Sequence, residues 1–367
     1  MRFSEFSGEW VTKSINDLAV VIGGGTPDTT VKSYWDGEIQ WFTPSEIGKN
    51  KYVDSSLRTI TEVGLNNSSA KLLPPNTILL SSRATIGECS LSLRECATNQ
   101  GFQCLVSKKC NVDFLYYLIQ TKKKDLIRKS CGSTFLEISA NEVRKIQVSV
   151  PSDVEQQKIA ELLSLIDERI ATQNKIIEDL KKLKSAIRKK MFSLLKDEYT
   201  ESFEINQLLD YEQPTAYIVA NDEYSTDTSL TPVLTANKGF ILGYTDEKFG
   251  IYQKGECIIF DDFTMDAKYV SFPFKVKSSA IKILTAKPNV NLRFMFEYLS
   301  YWELKSEEHK RHYISEIASL VIELPSKERQ SIIASLMTSL NSKLDIEAKT
   351  KIRYEEQKRY LLSQMFI

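Results

Sequence analysis

The chain has 367 residues, of which 42% are hydrophobic and 26% are charged, and this is enough for two domains that each have a core. Its 48 basic and 48 acidic residues cancel, which excludes a uniformly basic nucleic-acid-binding protein, so any such contact must be local. The six cysteines form no C-x-x-C pair, and no apolar run is long enough for a secretory or membrane segment. We therefore expect a reduced, cytoplasmic protein whose cysteines are small buried apolar side chains.

The first part of the chain alternates short strand-like runs with turns and one helix. Residues 1–150 are predicted to form a mixed α/β domain with an apolar strand core at Ile78–Leu80. A helix is predicted near residues 113–129, opened by Asn111-Val112-Asp113. The loop Gly23–Pro27 is predicted to be a turn and not a phosphate cradle, because no G-K-[ST] follows it.

Residues 151–198 carry apolar side chains at the 4-3 spacing of a heptad seam, which predicts a long helix. A helix of about 40 residues would be roughly 60 Å long. The predicted seam residues are Ile159, Leu163, Ile166, Ile170, Ile177, Leu180, Ile187 and Met191, interrupted by Gln173 and Lys184. The basic run at residues 181–190 is interpreted either as a solvated face or as a contact with phosphate or an acidic partner.

A second domain and a second helix follow. Residues 199–324 are net acidic and contain another apolar strand core at Ile258–Phe260 and another helix opened by Asn289-Val290-Asn291. Residues 325–367 again carry a heptad seam. Its predicted residues are Ile333, Met337, Leu340, Leu344, Tyr354, Leu361 and Met365, interrupted by Glu347, Lys351 and Lys358.

The two helical segments are copies of each other. They align without a gap at an offset of 174 residues, which places Pro151 on Pro325 and Met191-Phe192 on Met365-Phe366. The order is therefore domain, helix, domain, helix. We expect the two helices to pack antiparallel within the chain, because an apolar stripe needs a partner. The alternatives are that each helix pairs with another chain or with its own domain.

Side chains for catalysis are missing from the sequence. His309 and His312 are the only histidines, and no cysteine or acidic cluster completes a metal site around them. No [DN]-P-P-[YFW] tetrapeptide of amino-methyltransferases is present. We therefore predict no metal site, no catalytic residue and no enzymatic activity of the chain itself.

Several motifs, in this order, resemble the specificity (S) subunit family of Type I restriction–modification systems. The motifs are the opening Gly8-Glu9-Trp10, GGGTP…WDGEIQWFTPSEIG (23–48), NTILLSSRATIGE (76–88), ATNQGFQCL (97–105) and the junction at residues 132–167. The second domain is diverged. In it, SFEINQLL (202–209) takes the place of Gly8-Glu9-Trp10, and FDDFTMDAKYVSF (260–272) takes the place of SSRATIG.

The resemblance implies a fold and a set of partners. It implies an α+β protein with two target recognition domains, at residues 1–150 and 199–324, and two spacer helices that form an intrachain antiparallel coiled coil with pseudo-two-fold symmetry. Each domain would read one half of a split, asymmetric site in double-stranded DNA. Two methyltransferase (M) subunits and two restriction (R) subunits would join it. S-adenosylmethionine, ATP and magnesium would then belong to those partners, and this chain would hold no cofactor.

The candidate DNA-facing residues are basic, amide and aromatic side chains in predicted loops. They are Lys49, Asn50, Lys51, Arg83, Asn99, Gln100, Asn237, Lys238, Lys268, Tyr269 and Lys275. Two other classes of protein remain open at this stage. One is a methyltransferase-like enzyme, and the other is a coiled-coil scaffold that does not read DNA sequence.

Overall fold

The computed structural model describes residues 2–132, 136–195, 201–235, 239–302 and 317–366. The chain divides into two compact units, and each unit contains one globular domain and part of each long helix. Unit 1 consists of residues 1–176 and 348–367, and unit 2 consists of residues 177–347. The boundary between the units falls inside both long helices and not between a domain and a helix. The predicted division into two domains and two helices therefore stays a prediction.

The domain of unit 1 contains a larger sheet, a smaller sheet and a two-stranded ladder. Its elements are β1 (Val11–Ser14), α1 (Ile15–Leu18), β2 (Ala19–Gly23), β3 (Trp35–Phe42), β4 (Tyr52–Val53), β5 (Arg58–Ile60), α2 (Glu62–Asn66), β6 (Ile78–Leu80), β7 (Cys89–Ser92), β8 (Cys96–Thr98), β9 (Gln103–Ser107), α3 (Val112–Thr121), α4 (Lys123–Arg128), α5 (Ala140–Arg144) and β10 (Gln147–Val150). The strand orders are β2-β9-β6-β7-β4, β5-β3-β8 and β1-β10.

The domain of unit 2 follows the same plan. Its elements are β11 (Glu201–Glu204), α7 (Ile205–Leu208), β12 (Leu209–Glu212), β13 (Thr231–Leu234), β14 (Ile241–Thr245), β15 (Cys257–Asp261), β16 (Ala267–Val270), β17 (Lys275–Val276), β18 (Ile281–Ala286), α8 (Leu292–Tyr301) and β19 (Val321–Leu324). The strand orders are β12-β18-β15-β16, β14-β13-β17 and β11-β19. The strands β2-β9-β6-β7 of unit 1 therefore correspond to β12-β18-β15-β16.

The first elements of each domain show that residues 202–209 were aligned incorrectly with Gly8-Glu9-Trp10. SFEINQLL matches KSINDLA of unit 1 and not Gly8-Glu9-Trp10, because it forms the ladder strand and the one-turn helix that follows it. The amide of Ile205 donates to Leu320 O at 3.0 Å, as the amide of Ile15 donates to Ile146 O at 2.9 Å. The placement of residues 260–272 opposite SSRATIG is correct only in part, since residues 262–266 follow β15 as residues 81–88 follow β6, whereas residues 260–261 end β15 and residues 267–270 form β16.

A buried glutamine joins each domain to the helix that follows it. The Oε1 atom of Gln156 accepts from the amide of Asn111 at 3.0 Å, and that of Gln330 accepts from the amide of Asn291 at 2.9 Å. In both places the glutamine Nε2 donates to the proline carbonyl five residues earlier. Each asparagine also caps its helix, α3 or α8. The segment Asn289-Val290-Asn291 therefore opens α8 as predicted, and Asn291 is its cap.

The long helices are α6 (Asp153–Leu194) and α9 (Lys327–Met365). Every predicted seam residue is buried or half-buried, and the polar interruptions Gln173 and Glu347 are buried as well. In unit 1, Asp167 of α6 lies 2.8 Å from Lys358 of α9. In unit 2, the end of α6 and the start of α9 share one apolar cluster. Early residues of one helix therefore meet late residues of the other, which confirms the antiparallel intrachain pair.

The last phenylalanine of each helix enters the domain core of its unit. Phe366, directly after the end of α9, packs on Phe114 of α3 with ring centroids 5.3 Å apart. Phe192, near the end of α6, packs on Phe294 of α8 at 5.6 Å. Each domain core is therefore completed by the helix that follows the other domain in the sequence.

Candidate nucleic-acid interface

Three loops meet at one edge of the larger sheet in unit 1, and we call this edge loop edge 1. They are the loop after β2 (24–27), the turn after β6 (81–88) and the turn before β9 (99–102). The amide of Ser82 donates to Gly101 O at 2.8 Å, and Thr26 Oγ1 donates to Gln100 Oε1 at 2.6 Å. The fold thus brings together the predicted residues Arg83, Asn99 and Gln100, which lie on two of these loops.

The glycine-rich loop is needed for close packing at this edge. A Cβ atom added to Gly24 would lie 2.0 Å from Asn99 O, and one added to Gly25 would lie 2.2 Å from Ser69 Oγ. The amide of Gly25 donates to Thr98 O at 2.8 Å. The segment is therefore a closely packed loop without a regular turn, and it supports the turn that carries Asn99.

The turn after β6 displays Arg83 in a fixed frame. Its next residue, Ala84, has a φ of +55°, a conformation that side-chain-bearing residues rarely adopt. The Arg83 guanidinium lies 2.8 Å from Glu137, and its side chain is 42% exposed. An exposed ion pair of this kind contributes little to stability, so the guanidinium can exchange its partner at low cost. Asn99 accepts from the amide of Gly101 at 2.8 Å, and Gln100 is exposed.

Lys49, Asn50 and Lys51 lie beside α6 and line a cavity of about 320 Å³ with residues of that helix. Lys49 and Asn50 are exposed. Lys51 is different, because its ammonium lies 2.6 Å from Asp113 and 2.7 Å from Ser164 Oγ, with only 6% of the side chain exposed. This engagement fits a structural contact between the domain and α6.

In unit 2, the corresponding turn after β15 is acidic. Its residue Met265 has a φ of +59°, so both turns carry a left-handed residue that is not glycine. Asp262 and Lys282 form a buried pair at 3.3 Å. Their counterparts in unit 1 are Ser82 and Gln103, whose Oγ and Oε1 atoms are buried without a hydrogen-bond partner among the described residues. The same place in the sheet is therefore ionic in one unit and neutral in the other.

The predicted residues of unit 2 differ in accessibility. Lys268 is 42% exposed and lies 2.8 Å from Asp266. The ring of Tyr269 lies under the Arg293 guanidinium at 3.5 Å, and burial raises the pKa of Tyr269 to about 12, which keeps its hydroxyl a donor. Lys275 is fully buried and its ammonium donates to Glu247 and to Phe249 O. A side chain without exposed surface cannot reach a base edge. Asn237 and Lys238 lie outside the described residues.

Two further groups were not singled out from the sequence. The first is a basic cluster around α4, beside the turn of Arg83, and it consists of Lys122, Lys123, Lys124, Arg128 and Lys129. The run TKKKDLIRK at 121–129 was the signal for it. The second is Arg58, whose guanidinium lies 3.5 Å above the ring of Trp35. Its signal was weak, because the tryptophan is distant in sequence.

Neither a metal cluster nor a membrane-spanning helix occurs in the described ranges. Residues there include no group of three or more His, Cys, Asp or Glu side chains placed to hold a metal ion. In the same ranges, no helix has the length and apolar character needed to cross a membrane. His309 and His312 lie outside the described residues. Burial raises the pKa of the Cys89, Cys96 and Cys104 thiols to about 12, as expected for apolar packing residues.

A repeated domain and a repeated helix, with turns of different polarity after β6 and β15, define a two-domain protein built on a helical pair. A family model, the Type I restriction modification DNA specificity domain, matches residues 7–182 and 198–356. The chain belongs to this family, whose members are the non-catalytic specificity subunits of Type I complexes and carry no cofactor themselves.

Individual relatives agree with this assignment. The chain is 38% identical over 216 residues to the Type I restriction enzyme MjaIX specificity subunit of Methanocaldococcus jannaschii, covering 58% of this chain and 50% of the relative. It is 39% identical over 178 residues to the EcoR124I/EcoR124II specificity subunit of Escherichia coli, covering 43% of each. The matches thus span about half the length of these relatives. The crystal structure of an S subunit from M. genitalium shares the fold, with a TM-score of 0.66, 16% identity, and coverage of 100% of this chain and 99% of that one.

Proposed function

We propose that this chain is the DNA specificity subunit of a Type I restriction–modification complex, in which each domain reads one half of a bipartite, asymmetric site. The observation that carries the proposal is a single scaffold built twice with different polar groups at the corresponding turns. Readers of two different half-sites need a common frame and different side chains at the reading surface. An antiparallel helical pair between such modules would set their spacing.

In unit 1, we assign base contacts to Arg83, Asn99 and Gln100. Arginine suits the acceptors of guanine, and the amides suit the donor and acceptor of adenine. Phosphate contacts are assigned to Lys49, Asn50 and the basic cluster around α4. In unit 2, Lys268 and Tyr269 are retained, together with Asn237 and Lys238 on the sequence alone. Lys51 and Lys275 are left out, because both ammonium groups are engaged by buried or half-buried partners.

Arg83→Glu tests the assignment at loop edge 1. Loss of a good base contact costs about 1–3 kcal/mol, so we expect roughly a 5- to 150-fold loss of affinity for the cognate site. Arg94→Glu is the matched control, since Arg94 is also exposed and ion-paired but lies at the opposite end of β7. Binding is measured with M subunit present, across a salt titration, with cognate and random DNA. Unchanged affinity would remove Arg83 from the interface, and equal binding of random DNA would favour the scaffold interpretation.

Comparing methylation in cells with and without the chain tests the function as a whole. We expect loss of methylation at one bipartite motif when the chain is deleted. Methylation that is unaffected by the chain would contradict the proposal. Tight S-adenosylmethionine binding by the isolated chain would instead support an enzyme.

We further propose that two M subunits dock on the helical pair and that two R subunits join the complex. Support comes from exposed aliphatic residues on one line of α6, which are Val154, Leu165 and Ile176 in its unit 1 part, and Leu183 and Leu194 in its unit 2 part. Successive residues of this set are 11, 11, 7 and 11 positions apart, and each spacing is close to a whole number of helical turns. The side chains therefore lie on one face of the helix. Such a line on an exposed helix face suits a helical partner.

Leu165→Asp tests this docking face. We expect weaker co-purification with the M subunit and little change in unfolding, because Leu165 is 57% exposed. Leu57→Asp is the matched control, since Leu57 is an exposed leucine on the β4–β5 loop and not on a long helix. Equal M binding by both variants and by the parent chain would contradict the docking assignment.

A further inference from the structure

A buried carboxylate holds the domain of unit 2 to its two helix segments. Glu297 of α8 is fully buried. It accepts from Arg188 of α6 at 2.6 and 3.0 Å and from Asn341 of α9 at 3.2 Å, and Lys184 of α6 lies 3.9 Å away. Burial lowers the pKa of Lys184, and Glu297 opposes that shift. The glutamate is therefore the anionic centre of this junction.

The corresponding junction in unit 1 has the same design with the carboxylate in another place. Tyr117 of α3 takes the position of Glu297, because both are six residues after the capping asparagine. The hydroxyl of Tyr117 donates to Asp167 of α6 at 2.6 Å, and Lys358 of α9 pairs with Asp167 at 2.8 Å. Each junction thus joins a domain helix, one polar residue of one long helix and a lysine of the other.

The helix repeat identifies the exchanged residues. At the offset of 174, Asp167 corresponds to Asn341, and Lys184 corresponds to Lys358. The lysine is therefore kept in both junctions. The carboxylate comes from the long helix in unit 1 and from the domain in unit 2. Arg188 supplies a second cation in unit 2, at the position of Leu362.

Seating either domain on the other helix segments would unbalance these charges. Tyr117 placed against Asn341 would leave Arg188 and Lys184 without the carboxylate that both contact, and Lys184 would keep only its longer-range attraction to Asp345. Glu297 placed against Asp167 would bring two carboxylates together beside one lysine. Unpaired charges in partly buried places are strongly unfavourable, so both wrong seatings are penalised.

We propose that Tyr117–Asp167 and Glu297–Asn341 are matched pairs that assign each domain to its own stretch of helix. Glu297 and Asp167 act as positioning residues in this scheme. The smallest module that carries its matched partner is then a domain together with about the first four turns of the helix that follows it, while Arg188 belongs to the end of the other helix. A domain transplanted alone, ending at Pro151 or Pro325, would meet the long-helix residue that matches the other domain.

A double-mutant cycle in the full chain tests the match. Asn341→Asp should lower the urea midpoint in the parent chain, because it adds a carboxylate beside Glu297. In a Glu297→Tyr background the same substitution should raise the midpoint, because it restores the single carboxylate in the position used by unit 1. This reversal of sign is the expected result, and additive shifts would overturn the proposal.

Two further variants keep the test decisive if Glu297→Tyr does not fold. Glu297→Gln nearly preserves shape and should show the same reversal with Asn341→Asp. A chain in which residues 199–324 are replaced by a second copy of residues 1–150 should melt below the parent, and adding Asn341→Asp should recover part of the loss. The control is Ser342→Asp, which adds a carboxylate at the exposed neighbouring position. An equally large recovery with this control would also overturn the match.

Discussion

Units 1 and 2 share a frame and differ in the charged groups placed upon it. The frame consists of the sheet order, the glutamine at each helix start and the phenylalanine at each helix end. The differing groups are the turns after β6 and β15, the pair beside those turns, and the carboxylate at the helix junction. The comparison teaches that apolar packing and backbone-directed hydrogen bonds are preserved where the fold needs them, while charge is free to move between elements.

The largest effect is expected at the helix ends. Among the described residues, Phe192 contacts Phe294, Tyr298 and Tyr301, whereas Phe366 makes one ring contact, with Phe114. Phe192→Ala should lower the free energy of unfolding by about 4 kcal/mol, and Phe366→Ala by less. Urea unfolding measures both losses. Tyr360→Ala is the control at an exposed position of α9. A larger loss of unfolding free energy for Phe366→Ala than for Phe192→Ala would contradict the ranking by ring contacts.

The buried ion pair of unit 2 should give the next largest effect. Lys282→Met removes the cation beside Asp262 and should cost about 3 kcal/mol, because a buried charge loses a partner. Adding Asp262→Ser, which restores the neutral character of unit 1 at this place, should recover much of the loss. Denaturant unfolding of the three variants is the measurement. A double variant no more stable than Lys282→Met would mean that the neutral arrangement does not transfer.

The buried glutamines should be equivalent in the two units. Gln156→Leu and Gln330→Leu each leave a buried amide and a proline carbonyl without a partner, so each should cost about 2 kcal/mol. Hydrogen exchange at the first turns of α3 and α8 locates the loss in the expected unit. Gln357→Leu, on an exposed face of α9, is the control. Strongly unequal losses of unfolding free energy would show that the two glutamines do not contribute equally to their units.

The smallest effect on stability is expected for substitution of the exposed cysteine, Cys131. Burial raises the pKa of Cys110 and Cys257 to about 12, as it does for Cys89, Cys96 and Cys104, whereas Cys131 is exposed. Below about pH 10 the buried thiols remain protonated, so an alkylating reagent should label the native chain once. Mass spectrometry counts the labels, and Cys131→Ser should abolish labelling without changing stability. Rapid labelling of any other cysteine in native buffer would contradict this assignment.

Much of the helical part was predictable from the sequence, because a heptad seam is a local pattern with many repeats. The polar residues Gln173 and Glu347 also keep the seam spacing, and the structure buries both. The strand cores at 78–80 and 258–260 were found for the same reason, since short apolar runs bounded by turns are local signals.

The reading surface was less predictable, because burial of a charge depends on partners that are distant in sequence. Lys275 resembles a loop lysine, yet Glu247 and Phe249 enclose its ammonium. Arg83 and Gln100 come close only because β6 and β9 are neighbours in the sheet. The equivalent positions of Tyr117 in α3 and Glu297 in α8 were not recognised from the sequence either, because a tyrosine and a glutamate are chemically unlike.

The contribution of Phe366 to unit 1 has a consequence for the order of events during translation. Unit 2 is one continuous segment, whereas the core of unit 1 includes Leu361, Met365 and Phe366. The domain of unit 1, which leaves the ribosome before unit 2, therefore waits for residues 348–366, which leave after unit 2, before its packing is complete. We expect nascent chains arrested before residue 348 to protect unit 2 from proteolysis better than unit 1, although unit 1 emerged earlier.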